Sequence, residues 1–89
     1  MAKILLKQNI APNIFRIDLE APKVARSARA GQFVMIRLDE FGERIPLTIN
    51  SSDTKNGLIT LIFQIAGTTT HKLAFLNKGL KIIIEDERS

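Results

Sequence analysis

Between residues 15 and 20 the chain alternates strictly: Phe15, Ile17 and Leu19 fall on one side of an extended backbone, and Arg16, Asp18 and Glu20 on the other. That is the signature of a half-buried strand, and it constrains everything around it, because a strand with one apolar face needs partners on both edges and a core beneath it. Further short strands read at 4–7, 32–38, 44–49, 58–65 and 81–85. Turn chemistry separates them. Ala11-Pro12-Asn13 turns the chain into the alternating strand, Asp39-Glu40-Phe41-Gly42 returns it into 44–49, and Asn50-Ser51-Ser52-Asp53 ends that strand ahead of the Asn56-Gly57 reversal. Asn77-Lys78-Gly79 precedes the last strand. One stretch, 70–76, reads as helix, with Leu73 and Leu76 at helical spacing and the hydroxyls of Thr68, Thr69 and Thr70 available as caps. The spacing predicts an all-β, closed antiparallel barrel with one short helix, and Ile17, Leu19, Leu61 and Phe63 in its core.

At 89 residues, 45% hydrophobic and 25% charged, the expectation is a single soluble domain over 1–89. With no Cys and one His, His71, a thiolate or histidine metal site is not expected. No apolar run approaches the roughly 20 residues needed to span a bilayer, so the expectation is a cytoplasmic protein with no membrane partner. The net charge of +4 raises nucleic acid as a partner. Lys23, Arg26 and Arg29 would share one face if 22–30 made a turn or two of helix, with Pro22 at its start and Gly31 past its end. Against that partner, the chain has no Trp or Tyr for stacking bases, and its five Phe mostly fall on apolar strand faces. The composition favours a solvated basic face.

The stretch 42–49 obeys the strand rules on one face only. Ile45, Leu47 and Ile49 share one side; Arg44, Pro46 and Thr48 share the other. Pro removes a ladder hydrogen bond and is confined to edges, strand starts and bulges. Two readings stand: an edge strand with polar residues outward, or a strand whose second face meets a ligand. Gly67 ahead of three Thr is similarly double. It is a simple helix cap, or a helix start whose unpaired N–H groups hold a phosphate.

The run Arg44-Ile45-Pro46-Leu47-Thr48, preceded by Gly31-Gln32-Phe33-Val34 and followed by Ala66-Gly67-Thr68-Thr69-Thr70, resembles the FAD-binding barrel of the ferredoxin-NADP reductase superfamily. Within it, the likeness is to dihydroorotate dehydrogenase electron-transfer subunits and to the small FAD subunit of NADH-dependent ferredoxin-NADP oxidoreductase, also known as sulfide dehydrogenase. It extends over about residues 4–84, and the three motifs in order are more specific than any one alone. It implies a six-stranded antiparallel Greek-key barrel whose one short helix caps one end, and a flavin, FAD, as cofactor. By the same resemblance Arg44 contacts the pyrophosphate, Thr48 sits near the reactive ring nitrogen, and Pro46 with Leu47 forms an apolar wall. Ile62, Phe63, Gln64 and Ile65 line the pocket with backbone and side chains, and Gly67, Thr69 and Thr70 close over the diphosphate.

The sequence departs from that pattern in three places. Thr69 stands where relatives usually carry a small Gly, which leaves open which Thr hydroxyl reaches the phosphate. Leu47 replaces the ring-stacking aromatic of plant-type reductases. Glu85-Asp86-Glu87, read as a solvated tail, stands where relatives lead into a nucleotide-binding domain and then a cysteine-ligated iron–sulfur cluster. The expectation is a barrel fragment that is not catalytic alone. The nucleotide-binding domain and a larger oxidoreductase subunit would be its partners in the parent protein. Two other classes remain: a cofactor-free binding or assembly barrel, and a basic nucleic-acid-binding barrel.

Overall fold

A computed structural model describes residues 2–76 and 79–86 of the chain. Six strands, β1 (Ala2–Ala11), β2 (Ile14–Glu20), β3 (Phe33–Arg37), β4 (Ile45–Asp53), β5 (Leu58–Gln64) and β6 (Lys81–Asp86), close into a barrel in the order β1-β2-β5-β4-β3-β6. Every pairing is antiparallel. Strands β3, β4 and β5 follow one another as neighbours and β2 returns beside β5, which is a Greek key. Closure removes the free edges that a small sheet cannot otherwise cover.

Alternation places the core as expected. Ile17, Leu19 and Leu61 are fully buried and Phe63 nearly so, joined by Ile4, Ile36, Ile49, Ile59 and Ile82. Phe15 stacks on Phe63 across β2 and β5, with centroids 6.0 Å apart. On the outside of the same strands, Asp18 lies opposite Thr60, whose hydroxyl donates to its carboxylate at 2.8 Å.

Among the described residues two helices form where the sequence supported one. The conditional helix forms as α1 (Pro22–Ser27), with Pro at its start. It ends short of residue 30 because Ala28 is already extended. Its stripe splits accordingly: Lys23 and Arg26 are helical, and Arg29 lies beyond the end. Helix α1 lies in the crossover from β2 to β3, with Ala25 buried and its carbonyl accepting from Ser52 Oγ at 2.8 Å. Helix α2 (Thr68–Ala74) follows β5 and buries Leu73 and Ala74. Helix α1 therefore lies beside β4 and the start of β5, and α2 follows the end of β5 in the chain.

Several boundaries shift from the sequence expectation. Strand β1 runs to Ala11 rather than to 7, held by its ladder with β2 and interrupted by irregularities after Ile4 and Asn9. Strand β4 continues through Asn50-Ser51-Ser52-Asp53, which is not a terminating loop. Glu85 and Asp86 are part of β6, in register with Met35 and Val34, and so are not tail; Glu87 lies outside the described residues, as do Asn77 and Lys78 of the expected last turn.

The Asn56-Gly57 reversal forms as expected, and Asp53 organises it. Its carboxylate accepts from Asn56 Nδ2 at 2.8 Å and from Asn56 N–H at 3.1 Å. The Asn56 side chain, then its backbone, hold the Asp53 carboxyl below its ordinary pKa. A depressed folded value means that this contribution to stability is present above the unfolded pKa and is lost as pH falls through the folded one, in the acid range below about 4. Asn56→Ala is expected to move the Asp53 carboxyl titration, followed by NMR, back upward. An unchanged midpoint would assign the shift elsewhere.

Candidate functional site

Strand β4 carries the two-faced stretch. Leu47 and Ile49 are buried and Ile45 packs against the core, while Pro46 and Thr48 are exposed, with exposed Arg44 just ahead of the strand. Register with β3 adds two neighbours on the outer face: Phe33 beside Thr48 and Met35 beside Pro46. Phe33 is 43% exposed, a large apolar surface next to a hydroxyl and a proline ring. In the sequence, Phe33-Val34-Met35-Ile36 is apolar on both faces of its strand up to Arg37, a pattern that implies a second neighbour besides the core.

Backbone direction sharpens the picture. Ile49 N–H donates to Gln32 O at 2.7 Å and its carbonyl accepts from Gly31 N–H at 3.0 Å, both on the β3 side. Backbone groups of an antiparallel strand alternate, so the N–H of Thr48 and the carbonyls of Thr48 and Pro46 turn toward β5. There the ladder runs from Asp53↔Leu58 to Ile49↔Leu61 and, among the described residues, goes no further. Pro46 thus sits where its missing N–H faces no ladder partner. On β5, Ile65 N–H donates to Asn13 O at 2.8 Å on the β2 side, so the backbone groups of Ile62 and Gln64 turn toward β4. Continued past its last pair, the register sets Thr48 across from Ile62, and Pro46 across from Gln64. The result is a strip of polar backbone between two strands, flanked by Phe33 and Met35 on one side.

The inward residues take a different part. Leu47 is 8% exposed and Phe63 4%, with side chains in the core. The expected side-chain wall at Leu47 is therefore not formed: alternation from outward Pro46 turns it in, and any part that Leu47 or Phe63 takes in the strip is through backbone.

Past the open end of β5 the chain reaches Gly67, which caps α2 at φ 114°, a left-handed conformation that favours glycine. Nothing lies within 4 Å of where its Cβ would be. No Thr hydroxyl caps the helix. The hydroxyl of Thr70 instead accepts from Ala66 N–H at 2.7 Å and donates to Gly67 O at 3.2 Å, clasping the turn. The first helical hydrogen bond runs from His71 N–H to Gly67 O, so the helix itself provides no acceptor for the N–H groups of Thr68, Thr69 and Thr70. A shallow depression beside them is lined by Ile65, Gly67, Thr68, His71 and Lys72.

Arg44, Pro46 and Thr48 thus succeed one another along the outside at the start of β4, and Ile62 and Gln64 lie on β5 ahead of the Gly67 turn, while Ile65 packs against the core. Among the described residues no group of three His, Asp or Glu is set to hold a metal ion, and no helix is long and apolar enough to cross a membrane.

No protein-family model matches the chain. It is 41% identical over 81 residues to a dihydroorotate dehydrogenase B (NAD(+)) electron transfer subunit homolog of Thermotoga maritima, covering 91% of this chain and 29% of that protein. The electron transfer subunit of Desulforamulus reducens is 32% identical over 84 residues, with 91% of this chain and 32% of that protein covered. The chain is homologous to one segment of these electron-transfer subunits. An uncharacterized protein of Clostridium beijerinckii, encoded in the adh 3′ region, shares 51% identity over 79 residues, which are 89% of this chain and 27% of it. The chain therefore spans about a third or less of the length of the curated relatives it matches.

Among solved structures, that of an NADH-dependent reduced ferredoxin-NADP oxidoreductase, described for flavin-based electron bifurcation, matches with TM-score 0.90 and 39% identity. The match covers 94% of this chain and 31% of that one. A siderophore-interacting protein from Acinetobacter baumannii shares the fold, at TM-score 0.69 and 20% identity over 91% of this chain and 37% of its own. The six strands of the electron-transfer-subunit segment and their order fit the FAD-binding barrel that the three motifs resemble.

Proposed function

We propose that this chain is the flavin-binding barrel of an electron-transfer oxidoreductase subunit, and that its flavin is FAD. The observation that carries the reading is the outer face of β4. A cation, a proline ring and a hydroxyl stand in one row beside exposed Phe33, along the strip where the β4–β5 ladder stops. A planar, largely apolar ring with polar edges suits that surface, which offers apolar contact from Phe33 and Pro46 and backbone donors and acceptors alongside. The relatives named for electron transfer, and the neighbour described for flavin-based bifurcation, support the same chemistry.

The donor set fits a dinucleotide. Arg44 would supply a guanidinium to the diphosphate, and the N–H groups of Thr68, Thr69 and Thr70 would lie within the same turn. Thr70 is committed to the turn it clasps, so Thr69 is the better phosphate ligand and Thr70 the residue that shapes its loop. Thr48 would place its hydroxyl and N–H at the ring, while Ile62, Gln64 and Ile65 flank the span between ring and phosphates.

A bound flavin accepts and passes on electrons; the chain's own residues orient it and shield one side. The remaining two thirds of such subunits, including any nucleotide-binding domain, and a larger partner subunit belong to the same proposal. Titration of the purified chain with FAD, read by quenching of flavin fluorescence, tests it. Saturable quenching is expected, with affinity below that of an intact reductase because one side of the ring stays open to water. No quenching at high FAD would leave the barrel as a cofactor-free module.

A further inference from the structure

We infer that Arg16 is a further flavin-contacting residue, one that meets the ring rather than the phosphates. The inference rests on the flavin reading above and extends it to a strand that none of the three motifs includes.

Arg16 stands on the outer face of β2, directly opposite Ile62 on β5. Phe15 and Phe63 face each other on the other side of that pair, and Ile65 N–H bonds to Asn13 O, which makes Arg16↔Ile62 a pair without mutual backbone hydrogen bonds. Side chains approach most closely at such pairs. The β4–β5 ladder stops at Ile49↔Leu61; extended by one residue on each strand, that register sets Thr48 across from Ile62, and with Phe33 paired to Thr48 and Arg16 to Ile62 it aligns Phe33, Thr48, Ile62 and Arg16 across the outside of the barrel. The phosphate-binding groups, Arg44 and the turn at Gly67, lie further along the strands, past Pro46 and Gln64. The backbone of Arg16 is level with Thr48 and not with them, and its guanidinium reaches along β2 toward Asp18, which is opposite Thr60.

The guanidinium is held in place. Its Nε and Nη2 each donate to the Asp18 carboxylate at 3.2 Å, and Thr60 Oγ1 donates to the same carboxylate at 2.8 Å. Thr60 is only 8% exposed and the Asp18 side chain 16%, against 42% for Arg16. A cation needed only for solubility has no use for a buried hydroxyl fixing its counter-ion. This arrangement fixes one face of the fork and leaves three N–H donors, on Nη1 and Nη2, turned away from Asp18. Flavin rings carry carbonyl and imine acceptors along one edge, and a fixed fork of donors suits them better than a mobile Lys.

Fluorescence titration of Arg16→Gln with riboflavin, FMN and FAD tests this. All three are expected to bind roughly ten-fold more weakly, since all share the ring and each loses a charge-assisted hydrogen bond. Asp18→Asn, which keeps the cation and loosens its anchor, is expected to weaken all three by a smaller factor. Unchanged circular dichroism and thermal melting of both variants would show that the barrel persists. Two results overturn the inference while leaving the flavin reading intact: Arg16→Gln binding all three as the parent does, or losing affinity for FAD alone. No flavin binding by the unmodified chain overturns the flavin reading itself, and the role of Arg16 with it.

Discussion

Arg44→Ala is expected to weaken FAD by about ten- to a hundred-fold and to leave riboflavin nearly unchanged, because the lost interactions are charge-assisted hydrogen bonds of roughly 1.5–3 kcal/mol to a group riboflavin lacks. The parent chain should rank the ligands FAD, then FMN, then riboflavin, as phosphate is removed. Arg44 precedes β4, and its strand neighbours Pro46 and Thr48 face outward with it, so truncation opens no hole in the core. Urea melting should therefore coincide with the parent's within about 0.5 kcal/mol. Equal affinity of the parent for all three flavins would remove the phosphate assignment from Arg44 and from the turn at Gly67 together. Combined with the Arg16 series, the titrations separate two ends of one ligand: Arg44 discriminates among the flavins and Arg16 does not.

The fold was readable wherever one face of a strand is apolar. Phe15, Ile17 and Leu19 announce β2, and Ile59, Leu61 and Phe63 announce β5, because a period of two has one simple solution. Strand β1 was only half readable. Gln8 and Asn9 carry no apolar alternation, and that part of the strand exists because β2 offers it a ladder, which single-strand patterning does not contain. Helix α2 runs over Thr68–Ala74 and not over 70–76 for a related reason: Thr hydroxyls are good caps in general, but here glycine takes the left-handed turn and Thr70 bonds back to it. The sequence showed the outward row Arg44, Pro46, Thr48 without showing what stands beside it. Phe33 and Arg16 join that row only through β3 and β2, strands whose registers are properties of the closed barrel.

Leu61→Ala is expected to destabilise the domain by about 2–5 kcal/mol, a large share of the roughly 5–10 kcal/mol expected of a chain this size. Leu61 is fully buried at the point where β5 is paired on both sides, to Ile17 of β2 and Ile49 of β4, themselves 0% and 1% exposed. A cavity there has little freedom to collapse, since both neighbours are β-branched and stiff at χ1. The residue also marks the last rung of the β4–β5 ladder, next to Thr48 and Ile62 of the strip described above. Loss of packing at Leu61 should therefore loosen the site as well as the core, and FAD should bind more weakly even under conditions where the variant remains folded. Ile62→Ala, one residue along and only partly buried, provides the contrast: a stability loss near or below 1 kcal/mol, but a weaker flavin affinity if the strip is the ligand face. Urea denaturation of both variants, with an unchanged m-value, measures the first effect; FAD titration measures the second. A Leu61→Ala midpoint close to the parent's would mean that the barrel is packed about a different centre.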